Sequence, residues 1–94
     1  QNEISWLNAY QIMVDWEDIP KDAELGIRKR YAEELIDAGK YLQALSAYMY
    51  ISEQAVYVPG EMDFRMAILH GLLGQDDKAK NKYNEAIKKL SEKI

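Results

Sequence analysis

Ninety-four residues, 48% of them hydrophobic and none of them cysteine, with a net charge of −4, describe one domain with a modest core and no disulfide framework, thiolate metal site or cysteine nucleophile. The negative charge opposes binding to a phosphate backbone, which needs a clustered basic footprint, and no apolar run approaches the roughly 20 residues of a membrane span. The chain therefore reads as soluble, with no nucleic-acid partner and no membrane insertion; its opening, Gln1-Asn2-Glu3, is neither an initiator methionine nor a basic, apolar leader, which suggests a processed or excised chain of unknown compartment.

Apolar residues at helical spacing predict five helices and no strand. The first, near 3–17, carries Ile4, Trp6, Leu7, Ala9, Tyr10, Ile12, Met13, Val14 and Trp16 around much of its circumference, with Asn8, Gln11 and Asp15 as its polar arc. So wide an apolar arc needs neighbours on two sides. Trp6, Tyr10 and Trp16 are the candidate assembly face, against a second copy in a homodimer or against an upstream repeat. Glu17-Asp18-Ile19-Pro20 breaks the pattern, and a second helix follows over 21–38, up to Gly39-Lys40. The third, 41–56, contains the β-friendly run Tyr48 to Ile51, but Ala44, Leu45 and Ala47 beside it favour a helix. After Val58-Pro59-Gly60 comes the fourth, 60–73, with two stripes: Met62, Met66, Leu69 and Leu73 on one face, and Phe64, Ile68 and Leu72 on roughly the opposite one. Gly74-Gln75-Asp76 leads into the fifth, 76–93. Its single stripe of Ala79, Tyr83, Ala86, Ile87, Leu90 and Ile94 is that of a solvent-capped terminal helix, with Asp76 and Asp77 at its positive dipole end and Lys88, Lys89 and Lys93 at its negative end.

Little in the chain could carry chemistry. His70 is the single histidine, with no nucleophile placed beside it, so a packing role is expected rather than catalysis or metal binding. Glu33-Glu34-Asp37 and Asp76-Asp77 lack the alternating oxygen ligands and central glycine of a calcium loop. The aromatics fall among alanines and leucines at core spacing rather than among basic residues. No cofactor, metal or enzymatic activity is expected. The charge is uneven: residues 1–25 carry six acids against Lys21, and the last twenty carry six lysines against four acids. Solvated helix faces explain that, with electrostatic end-to-end association as the alternative.

A shift of 35 residues superposes Ala32 on Ala67, Gly39 on Gly74, Ala44 on Ala79 and Tyr48 on Tyr83, while Tyr31 meets Met66 and Ile51 meets Ala86. Small residues let two helices approach, glycine permits the left-handed turn between them, and the aromatic fills the remaining gap. A further step back reaches Ala9, Met13 and Trp16. This pattern resembles the tetratricopeptide repeat, a helix-turn-helix unit of about 34 residues, with a half repeat over 1–19 and full repeats over 20–58 and 59–94. Arg28 and Asp63 stand where that family usually has a large aromatic, and His70 where it usually has tyrosine.

The resemblance implies an all-α chain of five antiparallel helices in a short right-handed solenoid, acting as a scaffold or chaperone-like module that binds a peptide or helix of a partner protein. The alternative is a structural or oligomerisation segment of a larger assembly. On the first reading Phe64, Ile68 and Leu72 face the concave groove with Lys29, Glu33 and Ile36, Phe64 is the anchor, and Lys29 and Arg65 form the rim; otherwise the stripe is buried against the second helix. Some members clamp a partner's C-terminal carboxylate with lysine, arginine and asparagine. Lys29, Arg30 and Arg65 are interrupted here by Glu33 and Asp37, and no carboxylate clamp is expected.

Overall fold

The computed structural model describes residues 5–54 and 60–93. Ile4, Ile94 and the segment 55–59, which includes the end of the expected third helix and Val58-Pro59, lie outside them. Among the described residues there are five helices and no strand: α1 (Trp6–Val14), α2 (Lys21–Asp37), α3 (Tyr41–Ser52), α4 (Glu61–Leu72) and α5 (Asp76–Lys93). Each packs on its neighbours in sequence, α1 on α2, α2 on α3, α3 on α4 and α4 on α5.

Local chemistry sets the helix ends. The Ser5 hydroxyl caps α1 by accepting from the Asn8 N–H at 3.5 Å. At the other end the Asp15 and Trp16 N–H groups fold back to the Ile12 and Met13 carbonyls, a tight final turn that stops α1 short of the predicted residue 17. Helices α2 and α4 finish identically. The Lys40 N–H returns to the Leu35 carbonyl and the Gln75 N–H to the His70 carbonyl, both at 2.8 Å, around Gly39 and Gly74 at φ 77° and 76°. This is the Schellman closure that glycine alone makes without strain. The 35-residue offset is thus a repeat of backbone geometry as well as of letters.

Packing follows the same offset. Ala32 and Ala67 are fully buried in α2 and α4, and Ala44 and Ala79 are buried in α3 and α5, where a larger side chain would force the helices apart. The core runs from Leu25 and Leu35 of α2 through Leu45, Tyr48 and Ile51 of α3 to Met62, Met66 and Leu69 of α4. The predicted inner face of α4 is the observed one, with Leu73 packed partly against it. Helix α1 sits outside this cluster. Its one buried residue is Met13, and it joins α2 through the stack of Tyr10 on Tyr31, centroids 4.4 Å apart, and a 2.9 Å bond from the Leu7 N–H to Glu34.

The fifth helix departs from its predicted stripe. Ala79 and Ala86 are buried, but Tyr83, Ile87 and Leu90 remain exposed. The cause is Asp63, a 3% exposed carboxylate in the first turn of α4. It draws Lys89 to 2.6 Å and Lys82 to 3.7 Å, because a buried charge must be paired. With those lysines turned toward α4, Ile87 points outward while Tyr83 and Leu90 sit at the margin of the α4–α5 contact, and that helix is not a plain polar cap.

Candidate functional site

Helix α4 divides its circumference by chemistry. Toward α2 it sends Glu61 and Arg65: Lys29 lies 3.4 Å from Glu61, Arg65 spans Glu61 at 3.4 Å and Glu33 at 3.7 Å. Toward α5 it sends Asp63. Between these sides Phe64, Ile68 and Leu72 recur every fourth residue and are all about half exposed, so the row is not buried against α2. The Phe64 ring meets Tyr83 edge-on, centroids 5.4 Å apart and planes at 90°, a favoured aromatic geometry. Tyr83 carries the apolar surface onto α5, where Ile87 follows one turn later.

The repeat offset gives this face its meaning. Thirty-five residues earlier, Phe64 corresponds to Lys29, Ile68 to Glu33 and Tyr83 to Tyr48. Lys29 and Glu33 pair with α4, and Tyr48 is fully buried with the Arg65 guanidinium 5.9 Å from its ring centre. In the last unit the corresponding positions carry apolar side chains and are exposed. Of the other residues singled out in the sequence, Ile36 packs partly against the core. Tyr83 and Ile87 were assigned to a buried stripe because the charge of Asp63, which turns α5, lies on another helix.

On α1, Trp6 lies under the Arg30 guanidinium at 5.6 Å and Tyr10 stacks on Tyr31, so both face α2. Trp16 is exposed, as are Leu7, Ile12 and Val14. The apolar surface offered by this end is therefore made by those four more than by Trp6 and Tyr10.

A cavity of about 310 Å³ opens among α1, α2 and α3, lined by Tyr10, Arg28, Tyr31, Leu35 and Tyr50 among others. Its charges are matched within the chain. Arg28 donates to Glu24 at 3.0 Å while lying 4.2 Å from the Tyr50 ring centre, and the Tyr50 hydroxyl donates to the same carboxylate at 3.0 Å. Burial pushes the Glu24 carboxyl up, but hydrogen bonds from Arg28, Lys21 and Tyr50 outweigh it and hold the group below its ordinary value.

His70 is half-buried, its Nδ1 at 2.7 Å from the Gln75 side-chain oxygen, a contact that braces the turn after α4. Among the described residues, no cluster of three or more histidine, aspartate or glutamate side chains is placed to hold a metal ion, and no helix is long and apolar enough to cross a membrane. No protein-family model, no curated protein and no solved structure matches the chain.

Proposed function

We propose that this chain is a protein-interaction module built of tetratricopeptide-like antiparallel helix pairs, which holds a helix or peptide of another protein against the row Phe64, Ile68 and Leu72. One observation carries the reading: Phe64, Ile68 and Tyr83 are exposed at positions whose counterparts one repeat earlier, Lys29, Glu33 and Tyr48, are engaged by α4. Two closures of the same geometry at Gly39 and Gly74, the paired alanines and the 35-residue offset of burial support the repeat architecture. The row then acts as an apolar anchor strip with Phe64 as its anchor, and Lys29 and Arg65 form a charged rim already paired with Glu61 and Glu33. Because both cations of that rim are met by carboxylates, a clamp for a partner's C-terminal carboxylate is not part of the proposal.

The test is recovery of partners from the native source on the wild-type chain and on Phe64→Ala. A partner held by this row is lost or weakened by about 2 kcal/mol, roughly thirtyfold in Kd, while the variant keeps its helical circular dichroism. Binding unchanged by Phe64→Ala and Ile68→Ala counts against the row. A structural segment flanked by neighbours is the second reading, and the exposed Ile12, Val14 and Trp16 at the opposite end favour it.

A further inference from the structure

With no cysteine in the chain, its sulfur chemistry belongs to four methionines, and they stand in two environments. Met62 and Met66 are 3% and 1% exposed within the cluster shared by α2, α3 and α4, and Met13 is the buried residue of α1 at 3%. Met49, on α3, is 53% exposed. A solute as small as a peroxide therefore meets one thioether on the folded chain, and reaches the other three when their helices open.

Leu42 and Met49 are the two large hydrophobic side chains that α3 leaves exposed. Seven residues apart, they lie on one side of the helix, with the exposed Ser46 between them, while Ala44, Tyr48 and Ile51 take the buried side. An oxygen added to the Met49 sulfur is solvated by water instead of being forced among packed side chains. The same oxygen on Met62 or Met66 would enter the core with no hydrogen-bond partner waiting for it.

We propose that Met49 is a modification site for peroxide: the folded chain takes up one oxygen atom there, which turns the outer side of α3 from apolar to polar and leaves the helices in place. A sulfur lone pair attacks one oxygen of hydrogen peroxide and the O–O bond breaks. A proton passes from the transferred oxygen to the departing one, which leaves as water; sulfur is oxidised by two electrons and the peroxide reduced by two. The product is methionine sulfoxide, which sulfoxide reductases return to the thioether. The site is on α3 and not in the row of α4, so it holds whether or not that row docks a partner.

Oxidation of the intact chain with hydrogen peroxide, followed by whole-chain mass and by peptide mapping, tests this. The first oxygen should appear on the Met49 peptide more than about tenfold faster than on those of Met13, Met62 and Met66. Helical circular dichroism should be unchanged by it, and the oxidised chain should elute earlier from a hydrophobic-interaction column. Met49→Leu, close in volume, should lose the fast step. In concentrated urea the four methionines should react at similar rates, which assigns the selectivity to burial. Treatment with the two sulfoxide reductases, one for each epimer, should remove the oxygen. A first oxygen on any other residue overturns the proposal, as does a second that follows as fast as the first in the folded chain. So do loss of helicity on the first addition, unchanged column retention, and an oxygen that the reductases leave in place.

Discussion

At the scale of single residues, the buried charges are the sharpest test of the packing. Asp63 is held by Lys89 at 2.6 Å and more loosely by Lys82 at 3.7 Å. Replacing Lys89 by alanine leaves a buried carboxylate with only the distant partner, a loss of about 1–3 kcal/mol once the half-exposed lysine is discounted for solvent screening. Lys82→Ala should cost less than about 1 kcal/mol, and equal losses for the two in urea unfolding would contradict this division. Tyr48 poses the opposite case. Burial raises its hydroxyl above the usual value, with Arg65 offsetting part of the effect, and the hydroxyl oxygen has no hydrogen-bond partner in the protein. Tyr48→Phe should therefore lie within about 1 kcal/mol of wild type, because the lost hydroxyl was unsatisfied, whereas Tyr48→Ala should cost about 3–5 kcal/mol for the cavity it leaves. Glu24 adds a pH dependence. The folded chain holds it below the ordinary 4.5, so the folded state binds fewer protons there than the unfolded one. Its stabilising contribution is complete above pH 4.5 and disappears as the pH falls through the lower folded value. Glu24→Gln should flatten that acid limb in denaturation curves recorded across the window.

At the scale of elements, the glycines separate two kinds of demand. Gly39 has φ 77° and open space where a Cβ would stand, so Gly39→Ala should cost about 1–2 kcal/mol from the left-handed backbone alone. Gly60 has φ 91°, and an added Cβ would lie 2.8 Å from the Ala86 carbonyl oxygen of α5. Gly60→Ala should exceed about 2 kcal/mol, because strain and a clash with backbone add; thermal unfolding that ranked the two variants equally would remove this distinction. The turns were legible in the sequence because glycine and proline act locally, and four of the five helices, α2 to α5, start within two residues of Pro20, Gly39, Gly60 or Gly74. The inner face of α4 was legible for the same reason, through spacing within one segment. The roll of α5 was not: it depends on Asp63, a residue on another helix, and periodicity within α5 reads Tyr83, Ile87 and Leu90 as core. The exposed row of α4 was legible as a second stripe, but whether α2 covers it depends on helix placement. Glu61 and Arg65, rather than Phe64 and Ile68, meet α2.

At the scale of the whole molecule, neighbours in sequence are the neighbours in space. The ten-residue buried cluster spans α2, α3 and α4. Helix α1 lies outside it and packs on α2 alone. Its nine residues are fewer than an isolated helix needs to persist in water, so α1 depends on Met13, on the stack of Tyr10 and Tyr31 and on the bond from the Leu7 N–H to Glu34. Loss of those contacts should release α1 while α2 to α4 remain folded. The two tryptophans of the chain, Trp6 and Trp16, both belong to this end, so fluorescence observes α1 selectively while circular dichroism observes all five helices. Under urea the tryptophan transition should precede the loss of helicity, and Met13→Ala should move the fluorescence transition to lower urea while leaving the main helical transition in place. Coincident transitions would mean that α1 unfolds cooperatively with the rest, in which case Met13→Ala should shift both probes together by about 2–5 kcal/mol, as for a methionine removed from a shared core.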